Sequence, residues 1–221
     1  MPCLLPTDLI SSRLALTGFH ELGLTRVIQK QAIRGGLMID VGANQGYFSL
    51  LWVANNLDNR CISVEASPRN LKVLRGTVAA HGFEEATQIV EAAAGATRGR
   101  MTFDLGPVEQ SGWGGLSIGQ AFGETIEVAV LPIDDLVATD KIVDVLKIDV
   151  EGADTWVLEG ATGLLKSKRI RNVFFEQHTE RMALLNISPE TAPRLLRDAG
   201  YQIKTMSRST DGLAEFWATP L

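Results

Sequence analysis

Apolar residues in this chain occur in two kinds of pattern, short continuous runs and longer stretches with helical spacing. Residues 37–41 form a short apolar run that contains one acid, Asp40. Apolar residues then recur at helical spacing from Phe48 onward. A short buried run predicts a strand of a parallel sheet, whereas a period of 3.6 residues predicts a helix that packs on it. The stretch 37–53 therefore predicts a strand, a glycine turn and a helix.

The same two patterns recur along the rest of the chain. Helices are predicted from Pro68, with Ser67 as its cap, and over 156–165 and 191–199. The predicted strands are 61–65, 87–94, 143–149 and 172–176, two edge strands at 100–104 and 125–131, and a closing antiparallel pair at 202–206 and 214–218. This alternation predicts an α/β fold built on a mostly parallel sheet.

The residues before the first strand predict helices rather than strands. Residues 7–34 have helical spacing, and Gly18 and Gly23 are expected to break them into two short helices. This segment is expected either to cover the mouth of a binding site or to pack on one face of the sheet. The predicted organisation is a helical segment at 1–35 and one α/β domain at 36–221.

The glycine turn after the first strand is the strongest candidate for a binding site. Gly42 and Gly46 bracket Ala-Asn-Gln, and the middle glycine of a dinucleotide fingerprint is missing. Asp40, just before the turn, would repel a phosphate but suits a cation. S-adenosylmethionine carries an ammonium and a sulfonium and no phosphate, so it fits this pattern. The alternative is a strand–helix turn that binds nothing.

Two further features agree with such a ligand. Glu65 lies 25 positions after Asp40 at the end of the next predicted strand, where an acid can accept hydrogen bonds from ribose hydroxyls. The alternative for Glu65 is a solvated acid that caps the next helix. Ala92, Ala93 and Ala94 end the third strand and leave room for a flat ring, unless they are only the tail of that strand.

Composition limits the possible functions. The chain has 221 residues, a 45% hydrophobic share and a net charge of −5. These values predict one compact domain and argue against a nucleic-acid partner. Cys3 and Cys61 have neither metal-ligand nor redox spacing. The start of the chain shows no signal peptide and no transmembrane span, so a cytoplasmic location and no membrane partner are expected.

The motifs together resemble the FkbM family of S-adenosylmethionine-dependent methyltransferases. The resemblance covers roughly 36–205 and is carried by Met-Ile-Asp-Val-Gly-Ala-Asn-Gln-Gly at 38–46, Val-Glu-Ala-Ser-Pro at 64–68, Val-Leu-Lys-Ile-Asp-Val-Glu-Gly-Ala at 145–153 and Phe-Phe-Glu at 174–176. It implies the class I methyltransferase fold, a Rossmann-like sheet of seven mostly parallel strands with helices on both faces and an antiparallel last strand. It also implies transfer of a methyl group to a hydroxyl of a sugar or a polyketide-type small molecule. The cofactor-binding residues that it implies are Asp40, Gly42, Asn44, Gly46, Glu65, Ala66, Ala92 and Asp149.

Methyl transfer to a hydroxyl also requires a base. His178 is the first candidate because it follows the fifth predicted strand, and Glu176 is expected to orient it or to bind acceptor hydroxyls. Asp149 is the rival base, and Lys147 is expected to pair with Asp149 or Glu151. The glycine-rich loop 106–123, which carries Trp113, is expected to shape the acceptor site.

Some alternatives stay open at this stage. No metal site is predicted, although Asp149, Glu176 and His178 would be the residues to form one. His20 and His81 are interpreted as exposed or capping residues. The fold itself would also suit a nicotinamide-dependent oxidoreductase or a non-catalytic cofactor-binding subunit, and a homodimer is possible.

Overall fold

The computed structural model of the chain describes residues 8–119, 121, 123–210 and 212–221. Its strands are β1 Leu37–Val41, β2 Arg60–Glu65, β3 Thr87–Glu91, β4 Ala93–Ala94, β5 Gly99–Asp104, β6 Gly115–Leu116, β7 Thr125–Leu131, β8 Val145–Ile148, β9 Val173–His178, β10 Tyr201–Arg208 and β11 Leu213–Pro220. Its α-helices are α1 Leu9–Thr17, α2 Leu22–Ala32, α3 Tyr47–Val53, α4 Pro68–Ala80, α5 Asp154–Glu159, α6 Thr162–Lys166, α7 Thr179–Leu184 and α8 Thr191–Asp198. Short 3₁₀ helices cover Ser111–Trp113 and Ile133–Leu136.

The main sheet has seven strands in the order β10-β11-β9-β8-β1-β2-β3. Strands β9, β8, β1, β2 and β3 are parallel, whereas β11 is antiparallel to both β9 and β10. This sheet confirms the predicted class I methyltransferase fold, including its antiparallel last strand. The strand order changes direction at β1, which has β2 on one side and β8 on the other. Ligands of open α/β sheets bind at the carboxyl ends of strands beside such a switch point.

Helices cover both faces of the sheet because successive residues of a buried strand point to opposite faces. Met38 packs with residues of α2 and α3, such as Ile28 and Trp52. Ile39 packs with residues of α5, α6 and α8, such as Val157 and Leu196. Within the described ranges, no helix is both long and apolar enough to cross a membrane.

The N-terminal helices form with one break rather than two. Helix α1 ends at Gly18, which adopts the left-handed conformation with φ 79°, as predicted. Gly23 lies inside α2 and does not break it. Asp8 caps α1 by accepting a hydrogen bond from the Ser11 N–H at 2.8 Å, and its other carboxylate oxygen accepts one from the Ser111 N–H at 2.9 Å. Helix α1 is therefore tied to the loop that follows β5.

A second sheet, in the order β4-β7-β5-β6, was not predicted. The predicted strand 87–94 is wrong in its second half, since β3 ends at Glu91 and Ala93–Ala94 pair with β7 instead. The Ala92 N–H still bonds to the Glu65 carbonyl at 3.1 Å. The chain therefore leaves the main sheet at Ala92 and enters the second sheet directly beside the end of β2.

The remaining differences concern where individual helices and strands begin and end. The predicted helix 156–165 is divided into α5 and α6 around Gly160, where a Cβ would lie 2.1 Å from the Gly95 carbonyl oxygen. Strand β8 is shorter than predicted and ends at Ile148. Strand β9 is longer and includes His178, because β11 pairs with it as far as Leu213.

Candidate active site

A cavity of about 510 Å³ lies at the carboxyl ends of β1, β2 and β8. Its walls come from the glycine turn after β1, from α1 and the connection to α2, from the second sheet, and from the loop that contains Ser111–Trp113. Of the residues predicted to bind a cofactor or to act in catalysis, those that line the cavity are Gly42, Asn44, Glu65, Ala66, Ala92, Lys147, Asp149 and Glu176. Asp40, Gly46 and His178 are not among its lining residues.

The glycine turn is shaped by close contacts within the protein. Gly42 has φ 72°, and a Cβ at this position would lie 1.9 Å from the Asp149 carbonyl oxygen. Gly46 has φ 85°, and its Cβ would lie 2.7 Å from Leu74 Cδ1 of α4. Backbone packing therefore requires glycine at Gly42, and the positive φ favours glycine at both positions. Gly46 is not among the residues that line the cavity.

Asn44, in the middle of the turn, presents an unsatisfied acceptor. It adopts a left-handed backbone conformation with φ 50°, which asparagine tolerates better than most residues. Its side-chain Oδ1 is buried and has no hydrogen-bond partner among the described residues. Since buried polar atoms are normally satisfied, this oxygen at the cavity wall fits a ligand that donates a hydrogen bond.

Asp40 lies beneath the cavity and binds a cation of the protein itself. One carboxylate oxygen is 3.1 Å from Lys147 Nζ, and the other accepts a hydrogen bond from Ser49 Oγ at 2.7 Å. Lys147 also donates to the Gly42 carbonyl at 2.9 Å and lies 3.5 Å from Asp149 Oδ2. Asp40 therefore contacts Lys147 rather than a guest in the cavity.

The environment of Lys147 favours its protonated form. Burial by itself lowers the pKa of Lys147, but Asp40 and Asp149 outweigh this effect and raise its pKa above the ordinary value. The predicted pairing of Lys147 with Asp149 is confirmed. A permanently protonated ammonium cannot act as a base, so the part of Lys147 is to hold the acids and the turn in place.

Glu65 is positioned at the end of β2 by three backbone N–H groups. Its Oε1 accepts from Ala66 at 3.0 Å and from Ser67 at 2.8 Å, and its Oε2 accepts from Asn44 at 2.8 Å. Burial raises the pKa of Glu65, and these hydrogen bonds oppose the rise. A carboxylate has about four lone-pair positions, so one acceptor position remains for a hydroxyl in the cavity.

The wall opposite the glycine turn is small and flat. Ala92, Ala93 and Ala94 all line the cavity and are buried.

The loop 106–123 contributes Trp113 to the cavity wall, and this residue is 48% exposed. Arg181 of α7 stacks on the Trp113 ring at 5.9 Å from its centroid and lies 3.6 Å from Glu151.

The cavity floor carries an unusual density of acids. Burial raises the pKa of Asp149, and the charge of Lys147 opposes the rise. Burial, reinforced by Asp149, raises the pKa of Glu151 to about 7. Burial, reinforced by Asp149 and Glu21, raises the pKa of Glu176 to about 10. Acids that resist ionisation in this way favour a guest with positive charge.

His20 and Glu21 were not predicted as site residues, yet both line the cavity. His20 Nε2 lies 3.1 Å from Glu21 Oε1. The sequence signal is a pair of polar residues that follows Phe19, shortly after Gly18 ends α1. The interpretation of His20 as an exposed or capping residue is therefore wrong.

His178 has a different position from the one expected of a base. It is the last residue of β9, and its Nδ1 accepts a hydrogen bond from the Arg181 N–H at 3.4 Å as the cap of α7. Its catalytic assignment stays a prediction, and this position gives it no part of the cavity wall. Glu21, Glu176 and Glu215 each bring one carboxylate oxygen within 4.8 Å of the others, so the acids of this region converge without His178.

A comparison with known protein families identifies the class of protein. The family model described as Methyltransferase FkbM domain matches residues 40–203, which is most of the chain. The chain belongs to the FkbM methyltransferase family. The predicted family is therefore confirmed.

Solved structures agree with the fold of this FkbM methyltransferase. The methyltransferase FkbM from Methylobacillus flagellatus KT is 18% identical with a TM-score of 0.58, and the match covers 84% of this chain and 43% of that one. The precorrin-6y C5,15-methyltransferase from Geobacter metallireducens GS-15 is 15% identical with a TM-score of 0.53, covering 92% and 90%. A putative caffeoyl-CoA O-methyltransferase from Staphylococcus aureus is 12% identical with a TM-score of 0.52, covering 97% and 92%.

These likenesses support the fold and leave the acceptor open. The chain spans less than half the length of the Methylobacillus protein, and the other two structures are named for different acceptors. None of the curated proteins compared with the chain matches it.

Proposed function

We propose that this protein transfers the methyl group of S-adenosylmethionine to a hydroxyl of a small molecule, such as a sugar or a natural product. The observation that carries the proposal is the acid-rich cavity at the carboxyl ends of β1, β2 and β8 in an FkbM family member. A donor with a sulfonium and an ammonium supplies the positive charge that these acids favour.

The residues present fit this cofactor. S-adenosylmethionine, when bound, supplies an electrophilic methyl group attached to a positively charged sulfur. Glu65 has an acceptor position left for a ribose hydroxyl, and the orphaned Oδ1 of Asn44 suits the ammonium. Ala66 and Ala92 leave space for the adenine ring, and Asp149 faces the charged end of the ligand. Asp40 and Gly46 support the turn from behind.

The acceptor side is assigned to the loop 106–123 and α7. Trp113 offers a half-exposed aromatic face at the cavity, and aromatic faces pack well against sugar rings and phenols. The loop is held to α7 by Arg181 and to α1 by Asp8. Alignment of an acceptor oxygen with the methyl carbon supplies about 7–11 kcal/mol of the barrier, so a fixed acceptor wall is what this reaction requires.

A trideuterated methyl donor tests the proposal directly. The protein is incubated with the labelled S-adenosylmethionine and a metabolite extract of the source cell. We expect one metabolite to gain about 17 mass units, the mass added when a trideuteromethyl group replaces hydrogen. Periodate sensitivity or fragmentation of the product then separates O-methylation from C- or N-methylation.

Calorimetry with S-adenosylhomocysteine tests the cofactor site itself. In Glu65→Gln we expect the affinity to fall about 10–100-fold, since one charged hydrogen bond is lost. Glu91→Gln is the matched control, because Glu91 ends β3 in the same way but is exposed and pairs with Arg75. If the protein bound NAD but not S-adenosylhomocysteine, an oxidoreductase would be favoured instead. If it bound S-adenosylhomocysteine but gave no labelled product, a non-catalytic cofactor-binding subunit would be favoured.

A further inference from the structure

The connection between α1 and α2 delivers an imidazole and a carboxylate to the cavity. His20 and Glu21 are only 17% and 27% exposed in their side chains, and Nε2 and Oε1 lie 3.1 Å apart. Within the described residues, Nδ1 of His20 has no hydrogen-bond partner. When Nε2 carries the proton toward Glu21, Nδ1 keeps its lone pair, so the pair has the arrangement of a base and the group that orients it.

Several contacts fix this pair beside the glycine turn. The His20 ring is T-shaped to Tyr47, with centroids 6.1 Å apart, and tilted on Phe48 at 6.2 Å. Both aromatic residues belong to the first turn of α3. Thr25 Oγ1 hydrogen-bonds to the His20 carbonyl and lies 3.1 Å from the Tyr47 hydroxyl. The imidazole is therefore held where the glycine turn meets the proposed methionyl end of the cofactor.

The backbone at Glu21 is strained. Its φ is 44°, a left-handed conformation that glutamate rarely adopts. Strain of this kind persists only where the surrounding structure enforces it, and it occurs most often at functional sites. Here the conformation places the Glu21 carboxylate against His20 and toward the acids of the floor.

Two other titratable groups at this end of the cavity, Lys147 and Glu176, are less suited to accept a proton. Lys147 is held protonated by Asp40 and Asp149, and Glu176 retains a proton at neutral pH because its pKa is about 10. Burial by itself raises the pKa of Glu21, but the hydrogen bond with His20 helps to outweigh this effect and lowers the pKa below its ordinary value. The titratable groups that surround the pair are Tyr47 on α3, Lys147 on β8, Asp149 after β8, Glu176 on β9 and Glu215 on β11.

We propose that His20 is the general base of the methyl transfer and that Glu21 is its positioning residue, an inference that rests on the proposed function above. The acceptor O–H bond breaks and its proton passes to Nδ1 of His20. The acceptor oxygen forms a bond to the methyl carbon, and the carbon–sulfur bond breaks with its electron pair left on sulfur. Positive charge thus moves from the sulfur to the imidazolium, which the Glu21 carboxylate stabilises.

Nuclear magnetic resonance of the imidazole nitrogens tests the pair without any turnover. The chain has three histidines, so His20→Gln assigns the His20 signals. We expect the His20 signals to show the Nε2–H tautomer, to lose this preference in Glu21→Gln, and to shift when S-adenosylhomocysteine binds. Signals of His20 that resemble those of the exposed His81 and respond to neither change would overturn the inference.

Turnover is measured as the rate of label incorporation in the trideuteromethyl assay. We expect His20→Gln to lower this rate about 10²–10⁴-fold, while its affinity for S-adenosylhomocysteine stays within about twofold of the wild type. The pH–rate profile of the wild type should fall on its acidic side, and this limb should be absent in His20→Gln. His81→Gln is the matched control, since His81 caps α4 away from the cavity.

The rival bases are tested in the same assay. If His178→Gln or Glu151→Gln lost turnover while His20→Gln retained it, the assignment would be overturned. A wild-type protein that neither binds S-adenosylhomocysteine nor labels a metabolite would overturn the proposed function first. The experiments therefore distinguish a wrong assignment of the base from a wrong proposed function.

Discussion

The ammonium group of Lys147 is buried, and three oxygen-bearing groups surround it. It contacts Asp40 at 3.1 Å, the Gly42 carbonyl at 2.9 Å and Asp149 at 3.5 Å. Asp40 and Lys147 are directly opposite each other on β1 and β8. The ammonium therefore links β1, which leads into the glycine turn, to Asp149, which directly follows β8. Removal of Lys147 leaves Asp40 buried without a counter-charge, which is the costly case for an ion pair.

Lys147→Met is expected to lower the free energy of unfolding by about 3–5 kcal/mol, because it leaves Asp40 buried without a counter-charge. Denaturant unfolding followed by circular dichroism measures the change. The double variant Asp40→Asn/Lys147→Met should lose less of its free energy of unfolding than Lys147→Met alone, because neither charge of the Asp40–Lys147 pair then remains.

Lys72→Met is the control for the loss of a lysine in general. Lys72 is exposed on α4, so this change should stay within about 0.5 kcal/mol of the wild type. If Lys147→Met unfolded at the same denaturant concentration as Lys72→Met, the pair would not carry the structural role assigned to it.

At the scale of elements, the turn from β1 into α3 is held by contact with the segment after β8. Gly42 lies against the Asp149 carbonyl and the Val150 side chain. A side chain at this position would force apart the two segments that form the cavity floor. The same glycine also has a positive φ, so two separate reasons exclude a larger residue.

Gly42→Ala and Gly82→Ala separate these two reasons. Gly82 has φ 69° and open space around its missing Cβ, so its alanine variant suffers only the backbone penalty of about 1–2 kcal/mol. Gly42→Ala adds a collision at 1.9 Å with the Asp149 carbonyl. We expect a further loss of about 1–3 kcal/mol.

Affinity for S-adenosylhomocysteine gives a second measurement for this pair of variants. It should fall in Gly42→Ala and remain unchanged in Gly82→Ala, because only the first lies at the cavity. Equal stability and equal affinity of both variants would show that the contact with Asp149 can relax freely.

At the scale of the whole molecule, a modest net charge of −5 is distributed unevenly. Acids from the α1–α2 connection, from β9 and from the segment after β8 converge on the cavity floor. Their mutual repulsion opposes folding in the absence of a positively charged ligand. The molecule therefore sacrifices stability at the place where the proposed cofactor binds.

The stability of the folded protein depends on pH through Glu176. Burial first, and then the charges of Asp149 and Glu21, raise its pKa from an ordinary value of 4.5 to about 10. Because the folded state holds a proton that the unfolded state releases, stability is greatest below the ordinary value and is lost as pH rises toward 10. Glu151 adds a similar loss at lower pH, since its pKa rises only to about 7.

Glu176→Gln is expected to weaken this pH dependence. Between roughly pH 6 and pH 9, the window set by these shifts, the midpoint of urea unfolding should fall less than it does in the wild type. Glu124→Gln, at an exposed position, should keep the wild-type slope. An identical slope in all three proteins would mean that Glu176 is ionised in the folded state.

Much of the fold could be predicted because its signals are local. The strand–turn–helix at 37–53, the helix from Pro68 and the closing antiparallel pair each depend on neighbouring residues. Gly160 shows where such prediction stops, since the break between α5 and α6 depends on a contact with Gly95. The second sheet was missed for the same reason, because Ala93 and Ala94 pair with β7 across a long separation in the chain.

The cavity wall was predicted less completely than the fold. Glu65 ends β2 and Asp149 directly follows β8, so their place at one edge of the sheet follows from the topology of parallel strands. His20 and Glu21 come from a connection between helices, where no periodic pattern indicates which way a side chain points. His178 is a candidate base from sequence because it follows the fifth predicted strand, but β9 extends through His178 in its pairing with β11, and the residue is not part of the cavity wall.

The sequence by itself determined the family, the α/β class and the identity of the acid at the end of β2, since periodicity and short motifs depend only on residues close together in the chain. Tertiary structure alone decided which charges meet. It paired Asp40 with Lys147 beneath the floor, and it brought His20 and Glu21 over the glycine turn. Charges act through space at a few ångströms, and only the packed fold sets those distances.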